Sequence, residues 1–140
     1  MRTVFVDSSA WFALADTSDE FHRRARDTYP LLLAGGRLIT TNLVLAETYT
    51  LIRYELGWAS AIAFLDLVKA SPRIEVVRAD GELEDAALAI LRQYRDQPFS
   101  YTDGVSFAVM KALSLEEAFT FDSHFAAAGF RMIQSNSSEG

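Results

Sequence analysis

Val4-Phe5-Val6-Asp7-Ser8-Ser9-Ala10-Trp11-Phe12-Ala13-Leu14-Ala15 is the stretch on which the fold turns. Its first three residues are β-branched and aromatic, as a short buried strand requires, and they stop at an acid. From Ser8 to Ala15 the residues suit a helical turn or two, and Asp7 occupies the position from which a side chain caps free backbone N–H groups.

The same change of period recurs along the chain. Asp19 is placed to cap a second helix running to about Leu33, Gly35-Gly36 ends it, and Arg37-Leu38-Ile39-Thr40 is the second strand. Asn42 caps a third helix that runs to about Leu56 and stops at Gly57. Trp58 to Ala70 is the fourth helix, ended by Ser71-Pro72, and Arg73-Ile74-Glu75-Val76-Val77 is the third strand. Asp80 starts a fifth helix through about Tyr94, Gln97-Pro98 breaks it, and a sixth spans roughly Thr102 to Leu113. Ala118-Phe119-Thr120-Phe121 is the fourth strand, Asp122 to Ala128 a short helix closed by Gly129, and Phe130-Arg131-Met132-Ile133 a fifth, edge strand. Short apolar strands separated by helices specify an α/β fold, a parallel sheet covered on both faces.

At 140 residues and 15.6 kDa the chain has the length of one ordinary domain, expected over residues 1–134, with a polar tail at 135–140 expected to be disordered. Half the residues are hydrophobic, enough for a well-packed core. The absence of cysteine excludes disulfides, thiolate catalysis and zinc-thiolate sites together. The opening apolar run is too short for a signal segment, and no later stretch approaches the ~20 residues of a membrane span, so a cytoplasmic protein is expected. The formal charge of −6 argues superficially against a nucleic-acid partner. Two bound divalent ions would bring it to −2, and the arginines can still form a local basic rim.

Four acids occupy informative addresses: Asp7, Glu47, Asp103 and Asp122. In an open parallel sheet all strand C-termini lie on one edge, where ligands bind. Asp7 and Asp122 each follow a strand, and Glu47 lies ~7 Å along its helix from Asn42, within side-chain reach of that edge. Each aspartate has a plainer reading, since an Asp at a helix start caps N–H groups or complements the dipole. Glu47 is too deep in its helix for a cap, and its neighbours Leu43, Val44 and Leu51 turn its face toward the core. A carboxylate buried there must be protonated, salt-bridged or bound to a cation. Together the four would repel one another unless cations were present.

Val4 to Ala10, Glu47 within Thr41-Asn42-Leu43-Val44-Leu45-Ala46-Glu47, Tyr101 to Met110 and Ala118 to Phe125 resemble, in order, the four motifs of the PIN-domain nucleases. The likeness covers the whole chain and is greatest to the VapC-like toxins of type II toxin–antitoxin pairs. The resemblance implies a single domain with a five-stranded parallel sheet in the order 3-2-1-4-5. It further implies endoribonuclease activity dependent on Mg²⁺ or Mn²⁺, a homodimer, and a cognate antitoxin protein that blocks the RNA groove. The family's catalytic, metal-holding acids map onto Asp7, Glu47, Asp103 and Asp122, with the hydroxyls of Ser9, Thr102 and Thr120 supporting them. Asp7 and Asp103 are expected as direct or bridging ligands, with Glu47 and Asp122 completing the site directly or through water. Products with 5′-phosphate and 3′-hydroxyl ends are expected. Two positions depart from the family pattern: Gly104 stands where a small alanine is usual, and Ser114 replaces the glycine that commonly ends that helix. His124 is assigned to packing or capping.

Arg23, Arg24 and Arg53 are nominated as RNA-backbone contacts, although His22-Arg23-Arg24-Ala25-Arg26 is equally the solvated face of an amphipathic helix. Trp58, Phe64 and Leu65 have two readings as well, core packing or an exposed surface for a second copy or an antitoxin. Within the family, a housekeeping RNA-processing nuclease and a silent nucleic-acid-binding module are the alternatives. Phosphoryl-accepting domains also place an Asp after strand one, but this chain has Ser9 where the phosphatase pattern wants a second Asp. Its lysines, Lys69 and Lys111, fall in predicted helices rather than at the sheet edge a receiver requires.

Overall fold

The computed structural model describes residues 1–133; the expected tail at 135–140 lies outside the described residues. The strands are β1 (Arg2–Val6), β2 (Gly36–Thr41), β3 (Ile74–Val77), β4 (Glu117–Phe119) and β5 (Arg131–Ile133). Every pairing is parallel, and the sheet order is β3-β2-β1-β4-β5, as the family resemblance implies. The helices are α1 (Ser8–Ala15), α2 (His22–Gly35), α3 (Asn42–Leu56), α4 (Trp58–Ala70), α5 (Gly81–Gln93), α6 (Tyr101–Ala112) and α7 (His124–Ala127).

The central strand carries the core. Val4, Phe5 and Val6 of β1 are fully buried, with Leu38 and Ile39 of β2 beside them and Ala118 and Phe119 of β4 on the other side. Both faces of such a strand are covered, so its side chains need not alternate with polar ones. Trp11 of α1 packs edge-on against Phe64 and Tyr29 over one part of the sheet. Phe107 of α6 meets Phe125, Phe99 and Phe130 over another. Burying each such side chain contributes about 1.5–3 kcal/mol. Phe64 is thus a core residue and Leu65 packs half-buried beside the core, whereas Trp58 remains 59% exposed.

Helix α2 runs through Gly35 and β2 already starts at Gly36, which pairs with Arg2. At three other places where the structure differs from the sequence reading, side-chain hydrogen bonds account for the difference. The second helix begins at His22 rather than Asp19, because the Asp19 carboxylate accepts from Phe21 N at 2.9 Å within the preceding turn. Thr41, not Asn42, caps α3, accepting from Val44 N at 3.0 Å. Asn42 Oδ1 instead accepts from Ala79 N at 2.9 Å and ties the start of α3 to the segment after β3. Strand β4 ends at Phe119, two residues early. There the N–H groups of Phe121 and Asp122 are taken by the hydroxyls of Ser9 and Thr120, at 2.9 and 3.0 Å.

Candidate active site

Asp7 ends β1 and is fixed by backbone and side chain together. Its N–H donates to Phe119 O of β4 at 3.2 Å, and its carboxylate caps α1. Oδ2 accepts from Ser9 Oγ at 3.0 Å and from Thr120 Oγ1 at 3.1 Å, and the two hydroxyls touch each other at 3.1 Å. Ser9 and Thr120 therefore do support Asp7. The residue is only 3% exposed, and burial pushes its carboxyl up to about 6, against the hydrogen bonds from Ser8, Ser9 and Thr120 that favour the ionised form.

Asp103 reaches the same sheet edge at the first turn of α6. Ser100 and Asp103 form a reciprocal capping box, each side chain accepting from the other's N–H at 3.0 Å. Asp103 Oδ2 also receives His124 Nδ1 at 2.9 Å. Asp122 accepts from His124 N at 2.9 Å, and its Oδ1 lies 3.5 Å from His124 Nδ1. Asp103, Asp122 and His124 each offer a ligand atom within 4.8 Å of the other two. Phe121, one residue before Asp122, stacks on Phe21 with centroids 4.6 Å apart, which fixes that loop. His124 does pack, against Phe99 with ring centroids 5.4 Å apart, but its ring nitrogen also joins the acids, which sequence reasoning missed. The spacing Asp122-x-His124 was the available signal.

Glu47 corrects an expectation. It is exposed, not turned toward the core, and the buried stripe of α3 is Val44, Thr48 and Ile52, one position round the helix. Its charge is solvated and by itself calls for no cation. Its tie to the site is Ser8, whose Oγ donates to Glu47 Oε1 at 2.9 Å and lies 3.5 Å from Asp7 Oδ1. Ser8 was also missed by the sequence reading. A chain of contacts thus runs from Glu47 through Ser8 to Asp7, through Thr120 to Asp122, and through His124 to Asp103.

Thr102 lines a groove with Ser8 and Glu47, and its carbonyl accepts from Ser106 Oγ at 2.8 Å. Arg23 and Arg24 are exposed on the first turn of α2, and Arg53 is exposed near the end of α3. Arg2 and Arg131 pair with Glu117, Arg26 with Asp27 and Arg37 with Glu75, away from the four acids. A buried aspartate and an acid pair that shares one imidazole nitrogen suit a divalent cation, which carboxylate oxygens and imidazole both ligate.

The family model of the PIN domain matches residues 4–131. The chain is 33% identical over 131 residues to the 23S rRNA-specific endonuclease VapC20 of Mycobacterium tuberculosis, across 91% of this chain and 95% of that protein. It is 30% identical over 126 residues to a VapC ribonuclease of Archaeoglobus fulgidus, across 88% and 79% respectively. The crystal structure of M. tuberculosis VapC20, described as a sarcin-ricin loop cleaving toxin, superposes with a TM-score of 0.88 at 31% identity over 94% of this chain and 98% of that one. FitAcB from Neisseria gonorrhoeae shares the fold, with a TM-score of 0.69 at 17% identity over 93% and 96%.

Proposed function

Because the chain belongs to the PIN-domain family, among its VapC-like members, we propose that it is a divalent-metal-dependent endoribonuclease acting as the toxin of a toxin–antitoxin pair. The observation that carries this reading is the continuous contact path joining Asp7, Glu47, Asp103 and Asp122 at one sheet edge. In this reading Asp7, Asp103 and Asp122 hold Mg²⁺ or Mn²⁺, and Glu47, which Ser8 orients, completes the site. A cation held there lowers the pKa of water and offsets the negative charge that grows on the phosphodiester during hydrolysis.

The chain's own residues supply position and charge. Thr120 and Ser9 hold the Asp7 carboxylate in one orientation, and the Ser100 capping box does the same for Asp103. Burial of Asp7 raises the cost of its charge when no cation is present, which couples an ordered site to metal binding. No side chain need serve as a covalent nucleophile. A cognate antitoxin and a homodimer belong to the same proposal, supported by the kinship with VapC proteins.

The substrate to try first follows from the relative: 23S rRNA, and a short hairpin copy of its sarcin-ricin loop. Incubation with Mg²⁺ or Mn²⁺ is expected to release fragments with 5′-phosphate and 3′-hydroxyl ends. EDTA is expected to stop the reaction, as is Asp103→Asn in a protein that still folds. Undiminished cleavage in EDTA would falsify the proposal.

A further inference from the structure

A groove of about 590 Å³ opens between α3 and α4 at the β3 edge of the sheet, with Asn42, Tyr49, Leu65, Val76, Lys69 and Arg78 in its lining. Lys69 and Arg78 are exposed, and among the described residues neither makes an ion pair or a hydrogen bond. In a chain of net charge −6, two unpaired cations in one groove set up a local positive field. Lys69, in the last turn of α4, also complements the carbonyl end of that helix, whereas Arg78 follows a strand and has no such role. Strand register places the groove relative to the acids. Phe5 is level with Ile39 and Thr41 with Val77, so Asp7, Thr41 and Val77 stand in one row across β1, β2 and β3. Arg78 is the residue after Val77, two strand spacings or about 10 Å across the sheet from Asp7.

Resting on the nuclease reading, we propose that Lys69 and Arg78 form an RNA-backbone site, holding phosphates of the substrate strand beyond the one bound at the acids. The strand runs from Asp7 across the ends of β2 and β3 into the groove. Phosphate contacts of this kind set the register of a nucleic acid on a protein and leave the reading of bases to other groups. They also offset the repulsion between an acidic protein and a polyanion where the strand passes. A second copy of this chain fits less well, because a two-fold contact centred on the groove sets the same two cations against themselves. An acidic protein segment matches the charge. Only a substrate strand, however, has to leave the row of strand ends that the acids occupy, and the two cations lie along that row.

The test compares wild type with Arg78→Ala, Arg78→Lys and the double variant Lys69→Ala/Arg78→Ala, using Ca²⁺ in place of Mg²⁺ so that RNA is bound without being cut. The probe is a fluorescent hairpin copy of the sarcin-ricin loop, titrated by anisotropy over a range of KCl concentrations. Each lost phosphate contact is expected to lower the slope of log affinity against log salt by about 0.7, which weakens binding at about 50 mM salt by roughly 5- to 10-fold. Arg78→Ala should show one such step, the double variant two, and Arg78→Lys none, because a backbone contact needs the charge. Unchanged slope and affinity in the double variant overturn the site while leaving the nuclease reading intact. An equal loss in Arg78→Lys and Arg78→Ala overturns it too, since charge is then not what counts. A change of sedimentation in Arg78→Ala makes the groove a subunit contact instead. If the substitutions weaken binding of a polyglutamate peptide and not of the hairpin, the groove receives an acidic protein segment and the proposal fails. Wild-type protein that neither binds nor cuts RNA overturns the site and the nuclease reading together.

Discussion

His124 Nδ1 lies 2.9 Å from Asp103 Oδ2 and 3.5 Å from Asp122 Oδ1, so a single imidazole nitrogen bridges two acids carried by different elements. The contact joins residues 21 apart in sequence and fixes the orientation of Asp103, whose same Oδ2 also accepts from Ser100 N. Partners that orient ligands typically matter 10- to 100-fold for metal affinity. His124→Ala is therefore expected to weaken Mn²⁺ binding by about that factor in calorimetric titration. Unchanged Mn²⁺ affinity in a folded His124→Ala protein would show that the imidazole only packs against Phe99.

Asp7 sets a pH dependence of definite sign. Its carboxyl titrates near 3.8 when unfolded and at about 6 when folded, so the folded state holds the proton more tightly. The associated stability is fully present below pH ~3.8 and is lost as pH rises through about 6, an effect of about 3 kcal/mol for the metal-free protein. Without metal, the Asp7 contribution makes the protein melt higher at pH 5 than at pH 7.5, and Asp7→Asn flattens that difference. With Mg²⁺ the wild type gains more at pH 7.5 than at pH 5, because the ion competes with the proton. A pH slope that is the same in wild type and Asp7→Asn would refute the assignment.

Much of this was legible in the sequence, and what was not has physical reasons. Strand order followed from the family motifs, while α1 and α4 fell at their observed bounds because Asp7, Gly57 and Ser71 mark their ends locally. The end of β4 was misread because an alternating apolar pattern cannot show that hydroxyls from elsewhere will take the ladder's N–H groups. On α3, Leu43 and Leu51 looked like the core face. The stripe that is buried contains Thr48, whose polar side chain disguised it. Ser8 and His124 were missed because their contacts with the acids depend on residues brought together only by the fold.

Glu47 and Ser8 separate activity from stability. Because Glu47 is exposed, Glu47→Gln is expected to shift folding stability by no more than about 0.5 kcal/mol while sharply reducing cleavage. Ser8→Ala removes the hydroxyl that positions Glu47 and is expected to lower cleavage in the same direction by a smaller factor. Denaturant unfolding and RNA cleavage measured on the same samples check both. A loss of several kcal/mol in Glu47→Gln would mean that the carboxylate is buried after all.

Ser114 carries a conformational cost that glycine would remove. Its φ is 56°, in the left-handed region, and it sits just past the end of α6. Leu115 N donates to Met110 O at 2.8 Å and Ser114 N to Lys111 O at 3.1 Å, the paired bonds of a helix stop that glycine usually makes. Ser114→Gly is expected to stabilise the protein by about 0.5–1 kcal/mol after the added freedom of the unfolded chain is counted. Thermal unfolding should show a rise of roughly 2–4 °C at most, with RNA cleavage unaltered.

Gly104, beside Asp103, is small because α5 presses on α6 there. A Cβ at this position would lie 2.9 Å from Leu91 Cγ and 3.0 Å from its Cδ2, so Leu91 would have to move as a whole rather than swing its tip. Alanine in a helix interior gains about 1 kcal/mol over glycine, whereas overpacking costs about 1–3. Gly104→Ala alone is therefore expected to lose stability on balance and, by pushing the first turn of α6, to lower cleavage through Asp103. Leu91→Ala alone leaves a void and loses stability too. In the double variant the new methyl enters the space the leucine vacated, so the two losses should not add. Urea unfolding of the four proteins measures that coupling, and simple additivity would show that the helices separate freely at this point and that Gly104 is not needed for their close approach.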